Sequence, residues 1–248
     1  MTGVGCSWGL RPSKLSIRSE EVHVWRASLN LPRSQVQTLE SNLVPEEIGR
    51  ALRFCSANDR RHFIVARGVL RSILGFYLDV EPRQIEFCYG ASGKPAIGAP
   101  VCSDTLSFNL SHSAGLAVYA VTRKRQIGID VERVRPLPEC DEIATRFFSP
   151  GEAKVIRAVP SELKNETFFR CWTRKEAYIK ATGEGLSLPL HLFHVSLSTA
   201  GRTALVTAPD PSERYRWSLQ EFEPAPGYIS ALVVEGYDWH PKCWEWSA

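Results

Sequence analysis

Gly128-Ile129-Asp130-Val131-Glu132 places two carboxylates two residues apart between β-branched neighbours. On a strand, alternate side chains face opposite sides. Ile129 and Val131 would enter a core, and Asp130 and Glu132 would stand together on the other face. Two carboxylates held on one face repel unless a cation sits between them. A plain exposed acidic strand face is the other reading. Farther along, Trp172-Thr173-Arg174-Lys175-Glu176-Ala177-Tyr178-Ile179-Lys180 carries a third carboxylate. On a helix Glu176 and Lys180 are i, i+4 neighbours. They are either a surface ion pair or a third oxygen ligand beside a lysine for phosphate. Asp130, Glu132 and Glu176 with phosphate oxygens and water would suit Mg²⁺, which takes few protein ligands and completes its octahedron from substrate.

Groups suited to phosphate lie upstream. Phe108-Asn109-Leu110-Ser111-His112-Ser113 ends a candidate strand with three short polar residues. Their side chains can donate to phosphate oxygens, or can satisfy the backbone of a turn. Gly93-Lys94-Pro95 sets a lysine on a constrained loop, where it meets an anion or solvent. Arg50, Arg53, Arg60, Arg61, Arg67 and Arg71 share the polar face of a helical region, as a solvated face or an anion site. No Gly-x-Ser-x-Gly elbow, Gly-x-x-x-x-Gly-Lys-Ser/Thr loop or Gly-x-Gly-x-x-Gly turn is present. Serine-hydrolase, P-loop and Rossmann chemistries therefore fall away.

These residues need elements to hold them. Val22–Trp25 alternates like a strand. Pro45 opens a helical region that Asn58-Asp59 is expected to split in two, with apolar positions through Phe63, Val69, Ile73 and Leu74. Strands are expected at Ile85–Tyr89, Leu106–Leu110, Leu116–Val121 and Gln126–Glu132, and a proline-broken linker at 133–138. The second half starts with a helix near Cys140. Ser149-Pro150-Gly151-Glu152 has the form of a helix start, and a long helix runs from Ser161 to Thr182, closed by Gly183. Strands return at Phe193–Leu197, Thr203–Thr207, Tyr215–Phe222 and Tyr228–Val234. Gly115–Val121 and Gly227–Val234 are both glycine-led strands, a weak sign of duplication.

The chain has 248 residues, enough for one large or two small domains. Its net charge of +3 argues against a dedicated nucleic-acid partner. Seven scattered cysteines without a Cys-x-x-Cys pair fit reduced, mostly buried thiols in a cytoplasmic protein and lack zinc-ligand spacing. No apolar run approaches the roughly 18 residues of a membrane span. Residues 1–20 lack core-like periodicity and are expected to be a loose tail.

In this order the motifs resemble one family, the 4′-phosphopantetheinyl transferases of the two-lobed Sfp type. The matching set is Gly93–Pro95, Asn109–Ser113, Gly128–Glu132, Phe147–Glu152, Trp172–Lys180 and Gly183-Glu184-Gly185-Leu186, within a match spanning about residues 22 to 235. The resemblance implies an α/β (α+β) fold: a pseudo-twofold pair of similar α/β lobes, 21–135 and 136–248, with the active site in the cleft between them. It implies transfer of the 4′-phosphopantetheine group of coenzyme A to a serine of an apo acyl or peptidyl carrier protein, releasing 3′,5′-ADP. Asp130, Glu132 and Glu176 would hold Mg²⁺, with Mn²⁺ able to replace it. Lys94, Ser111, His112 and Lys180 would contact the phosphates, and Arg50 the 3′-phosphate. Glu176 and Lys180 would be the catalytic pair, Glu176 serving as base or only as ligand. Where many relatives carry an arginine before the Phe63–Ala66 stretch, this chain has His62, so Arg60 or Arg61 would replace it or the 3′-phosphate would be held less tightly. The expected partners are coenzyme A and a carrier protein, with no nucleic acid and no membrane, and the enzyme acts as a monomer. A non-catalytic coenzyme A-binding module and a metal-dependent phosphohydrolase are the rival readings.

Overall fold

The computed structural model describes residues 6–12, 15–98, 106–197 and 205–247. Cys102 and the start of the strand expected at Thr203–Thr207 lie outside the described residues. In chain order the elements are β1 (Trp8–Leu10), β2 (Glu21–Ser28), α1 (Arg33–Glu40), α2 (Pro45–Ala51), α3 (Ala57–Leu78), β3 (Phe87–Tyr89), β4 (Pro95–Ile97), β5 (Leu106–Ser113), β6 (Leu116–Arg123) and β7 (Ile127–Arg133). They continue with α4 (Cys140–Phe147), α5 (Pro150–Ala158), α6 (Ser161–Thr182), β8 (His194–Val195), β9 (Leu205–Thr207), α7 (Glu213–Arg216), β10 (Trp217–Phe222), β11 (Tyr228–Glu235) and β12 (His240–Glu245).

Two sheets carry the fold. The larger has the order β1-β12-β2-β6-β5, and the smaller β10-β11-β7. Strand periodicity explains how they stack. On β2 and β6, Trp25, Ala27, Ala117, Tyr119 and Val121 pack with Val69, Leu70, Ile73 and Leu74 of α3. The alternate residues Val22, Val24, Val118 and Ala120 meet Ile127, Ile129 and Val131 of β7 and Leu232 and Val234 of β11. The far face of the smaller sheet, with Ile229, Ala231 and Val233, packs on Phe168, Phe169, Tyr178 and Ile179 of α6. The layers are therefore helix, sheet, sheet, helix, with both sheets apolar on two sides.

The two halves repeat one topology. β2 pairs antiparallel with β6, which pairs antiparallel with β5; likewise β7 pairs antiparallel with β11, which pairs antiparallel with β10. Each first strand is followed by helices ending in a 22-residue helix, and each long helix by a small hairpin, β3–β4 or β8–β9. Gly115 and Gly227, both at positive φ, introduce the matching strands β6 and β11. The weak duplication signal thus marks equivalent turns. The repeat also moves the division between lobes. β7 pairs with the second sheet although the expected boundary at 135 places it in the first lobe, and β12 returns to pair with β2. A sheet strand belongs where its ladder is, and residue order alone did not reveal either exchange.

Other boundaries shift for local reasons. The break between α2 and α3 covers residues 52–56, not Asn58-Asp59, because Ser56 is the N-cap and accepts from the Asp59 amide at 3.3 Å. Helix α1 and strand β12 are not among the elements expected from the sequence. The expected loose tail is partly built into the body. Trp8–Leu10 adds to the sheet edge in parallel with Cys243–Glu245, and Ile17 is buried against the first core. Cys6 and Cys243 form a disulfide, in contrast to the expected set of reduced thiols; Cys140 and Cys171 are free and buried. Cys55 and Cys88 are free and exposed, not buried.

Removing residues 1–20 should therefore lower the thermal midpoint. Burying one isoleucine contributes about 1.5–3 kcal/mol, and each kcal/mol moves a chain of this size by about 2–4 °C. A midpoint loss of several degrees in calorimetry is expected; an unchanged midpoint would show that the tail is loose after all.

Candidate active site

The site is built on the contact between α6 and β7. A Cβ on Gly128 would fall 2.1 Å from the Ala177 carbonyl oxygen and 2.3 Å from the Ala181 amide nitrogen. Only a residue without a side chain lets the helix come this close. Two residues on, Asp130 shares the helix-facing side of β7 and is 4% exposed. Its Oδ1 accepts from Lys180 Nζ at 2.7 Å and from Ser111 Oγ at 2.7 Å, and Lys180 Nζ lies 3.0 Å from Ser111 Oγ. Its Oδ2 is buried without a hydrogen-bond partner.

β5 lies beside β7 and answers it residue for residue. Asn109 Oδ1 accepts from the Ile129 amide at 2.9 Å, Ser111 donates to Asp130, and Ser113 Oγ donates to Glu132 Oε2 at 2.7 Å. Asn109 is not among the expected site residues, and Ser113 is expected only as a phosphate donor or turn residue, not as a partner of Glu132. Their signal was available: positions 109, 111 and 113 alternate on one strand face, as 128, 130 and 132 do on the other. Glu132 also has Arg135 at 3.5 Å. Burial and the Asp130 charge raise the Glu132 carboxyl above its ordinary pKa, and Ser113 and Arg135 only partly offset this. Glu176 is raised as well, first by burial, then by Asp130 and Glu132, against the pull of Lys180. The three carboxylates thus share one electrostatic problem.

Among the described residues no three such side chains close into a preformed metal cage. The donors nevertheless fit a hard cation that keeps water and substrate oxygens in its shell. Three carboxylates supply oxygen only, two of them resist ionising beside each other, and the Asp130 Oδ2 atom is buried and unclaimed.

A cavity of about 240 Å³ adjoins this point, lined by Ser92, Lys94, Asn109, Glu176 and Lys180 among others. A second, of about 290 Å³, is lined by Phe54, Asp59, His62, Phe63, His112 and Ser113 among others. The sequence matches the family model described as 4′-phosphopantetheinyl transferase superfamily over residues 126–233, and the one described as 4′-phosphopantetheinyl transferase, N-terminal, over residues 25–124. The 4′-phosphopantetheinyl transferase HetI of Nostoc is 44% identical over 97% of this chain and 98% of its own length. The chain belongs to the 4′-phosphopantetheinyl transferase family. The 4′-phosphopantetheinyl transferase Sfp of Bacillus subtilis is 31% identical over 82% of this chain and 87% of its own. A Helicobacter pylori holo-[acyl-carrier-protein] synthase solved in complex with coenzyme A superposes with a TM-score of 0.35 and 22% identity, covering 44% of this chain and 99% of that one.

Within this transferase fold the expected site residues fall into three groups. Asp130, Glu132, Glu176, Lys180 and Ser111 come together as described. Lys94 lines the first cavity, but its ammonium donates to the Ile127 and Ala181 carbonyls at 3.0 and 3.2 Å, and burial lowers its pKa to about 8. His112 faces the second cavity. Burial, and then the Lys180 charge, hold its imidazole below the ordinary value, although the residue is exposed by surface area. Arg50 is exposed on α2 and stacks over Phe63, 5.5 Å from the ring centroid. His62 Nε2 donates to Asn30 Oδ1 at 2.9 Å. Arg60 donates to the Phe54 carbonyl at 3.3 Å and Arg61 to the Leu31 carbonyl at 2.7 Å.

The basic helix face is also divided. Arg67 and Arg71 are buried and both bond Glu47, Arg71 at 2.7 Å, with Arg71 donating further to the Pro82 and Ile85 carbonyls. They hold α2, α3 and the following turn together and are not part of a solvated or anion-binding face. The two arginines also hold the Glu47 carboxyl below its usual range, although burial works the other way.

The raised carboxyl of Glu176 has a stability consequence. A carboxyl whose folded pKa is raised contributes stability below its unfolded pKa and loses it as pH rises through the folded value. With chelator present, Glu176→Gln should unfold at a higher temperature than the parent at pH 7.5. The gap should narrow as pH falls and the Glu176 carboxyl takes up a proton. Equal midpoints at pH 7.5 would contradict the crowding of charge described here.

Proposed function

We propose that this chain transfers the 4′-phosphopantetheine group of coenzyme A to a serine of an apo acyl or peptidyl carrier protein in a Mg²⁺-dependent reaction, with 3′,5′-ADP leaving. The single observation that supports it most is the Asp130 carboxylate, gripped at Oδ1 by Ser111 and Lys180 and left open at a buried Oδ2, with Glu132 and Glu176 beside it. Asp130, Glu132 and Glu176 would hold the cation. Bound there, it would neutralise charge on the diphosphate, which is the main demand of phosphoryl transfer.

The chain's own groups supply the rest. Lys180, free to exchange its Asp130 contact for a phosphate oxygen, offers a charge-assisted donor, as does His112. Ser111 orients Asp130 and can share its hydroxyl with the substrate. Lys94 closes the end of the first cavity and would meet the diphosphate from the opposite side. Glu176, whose carboxyl is held above its ordinary pKa, is suited to accept the proton of the attacking serine. The 3′-phosphate would lie in the second cavity, near His112 and His62 and within the field of Arg50. A mildly basic chain of net charge +3 also favours encounter with acidic carrier domains.

The direct test is mass spectrometry of apo carrier proteins incubated with enzyme and coenzyme A. A gain of one phosphopantetheine is expected with Mg²⁺ or Mn²⁺ and none in excess chelator. Asp130→Ala should lower turnover more than about 100-fold, since even residues that only support metal ligands are worth 10–100-fold. Transfer in excess chelator would defeat the metal role, and release of phosphate from free coenzyme A without carrier modification would defeat the transferase reading.

A second test separates the two cavities. Arg50→Ala should raise KM for coenzyme A by roughly 10- to 150-fold, as loss of one charged phosphate contact costs about 1.5–3 kcal/mol. It should leave KM for dephospho-coenzyme A, which lacks the 3′-phosphate, within about twofold. Lys180→Ala should impair both substrates alike. Equal weakening of both by Arg50→Ala would place Arg50 outside the 3′-phosphate site.

A further inference from the structure

Lys175 stands immediately before Glu176, yet it has no part in the cleft. It is 0% exposed, and so is its partner Glu152 on α5. The Lys175 ammonium lies 2.8 Å from Glu152 Oε2, 2.8 Å from the Leu190 carbonyl oxygen and 2.7 Å from the Phe193 carbonyl oxygen. Three acceptors match the three donors of an ammonium group. Glu152 is equally committed. Its Oε2 accepts from the Ser149 amide at 2.9 Å and the Ser149 hydroxyl at 2.7 Å, and its Oε1 from the Val195 amide at 2.8 Å. The aromatic rings of Phe148 and Phe193 flank the ammonium, the nearer centroid at 4.2 Å.

Successive residues on an α-helix point about 100° apart. Fixing the direction of Lys175 therefore fixes the direction of Glu176, and of Lys180 one turn on from it. Arg174 tightens the same turn by bonding Glu221 at 2.5 Å. Gly128 lets α6 approach β7, but a glycine facing two alanines supplies no feature that resists rotation of the helix about its axis. The Lys175 ammonium, seated among three fixed acceptors, supplies it.

We propose that Lys175 is a positioning residue for the transfer reaction: paired with Glu152, it sets the rotation of α6 and so aims Glu176 and Lys180 at Asp130. This rests on the transferase reading above. On it, the Ser149–Glu152 helix start and the lysine of the Lys175-Glu176 pair form one device, with the chemistry left to the neighbour.

Loss of one partner leaves a buried charge unpaired and threatens the fold, whereas replacing both by uncharged side chains of similar volume is often neutral or stabilising. The test is therefore the double variant Glu152→Gln/Lys175→Met, assayed for transfer to a carrier protein that the parent enzyme modifies. Turnover is normalised to the folded fraction from near-ultraviolet circular dichroism. Expected is a kcat at least tenfold below the parent, with KM for coenzyme A within threefold and a thermal midpoint close to the parent's. A folded double variant with parental kcat overturns the proposal. So does a raised KM at parental kcat, which would make Lys175 a substrate-binding group. If the double variant does not fold, Lys175→Arg decides in the same way. It keeps the charge but not the three-acceptor fit, so a lowered kcat at unchanged KM supports the proposal and an unchanged kcat overturns it. A parent enzyme that modifies no carrier protein would instead count against the transferase reading itself.

Discussion

The approach of α6 to β7 at Gly128 sets the distances on which the rest of the site depends. Backbone meets backbone there: the position of a missing Cβ is filled by the Ala177 carbonyl and the Ala181 amide. Because β7 rises by about 3.3 Å per residue, Asp130 emerges two residues beyond the contact, where a lysine on the adjoining turn of α6 can reach it at 2.7 Å. A larger residue at 128 would lift the helix off the sheet, and overpacking of this kind costs typically 1–3 kcal/mol or more. The same displacement would separate Lys180 from Asp130. Stability and site geometry are here one constraint, carried by the smallest residue in the motif.

That closeness has an electrostatic consequence. Asp130, Glu132 and Glu176 are drawn into a half-buried region with one lysine among them, and the ionised forms of Glu132 and Glu176 are disfavoured by burial and by each other. Serines on β5 offset part of this by donating to Asp130 and Glu132. They leave Asp130 Oδ2 without a donor in an otherwise well-paired strand. A buried unpaired carboxylate oxygen is costly in a fold that gains nothing from it. On the proposed function, that oxygen would meet charge arriving from outside with a cation and a diphosphate.

Much of this was legible in the sequence, and the part that was not has a physical pattern. Two-residue alternation at 128–132 and four-residue spacing from Glu176 to Lys180 are local, and both facings are as expected from period alone. The long helix 161–182 with its glycine cap came through to the residue. Pairing partners are non-local and did not: β7 joins the second sheet, β12 returns to the first, and Trp8–Leu10 adds to an edge that exists only once β12 is in place. The arginines of α3 show the same limit. Arg60, Arg61, Arg67 and Arg71 lie within twelve residues, but Glu47 on a neighbouring helix takes two of them into the interior while carbonyls engage the others. Composition counts charges on a face and cannot see which acceptors the fold brings up to meet them.

The buried ion pairs complete the picture. Glu47 with Arg67 and Arg71 sits in the first repeat, and Glu152 with Lys175 in the second. Each joins the long helix of its half to a short helix preceding it. Such pairs add little net stability over apolar packing, because the desolvation of both charges offsets most of their attraction. What they do impose is a single arrangement, since a helix rotated or slid out of register leaves two charges stranded. The two apolar faces of α3 and α6 would tolerate several rotations at similar hydrophobic cost. On the proposed function, a carboxylate and an ammonium from α6 must meet one aspartate on β7, and such a site would not tolerate them. The charged keys lie in the interior, away from the cleft, because there the dielectric is low and an error in register is most heavily penalised.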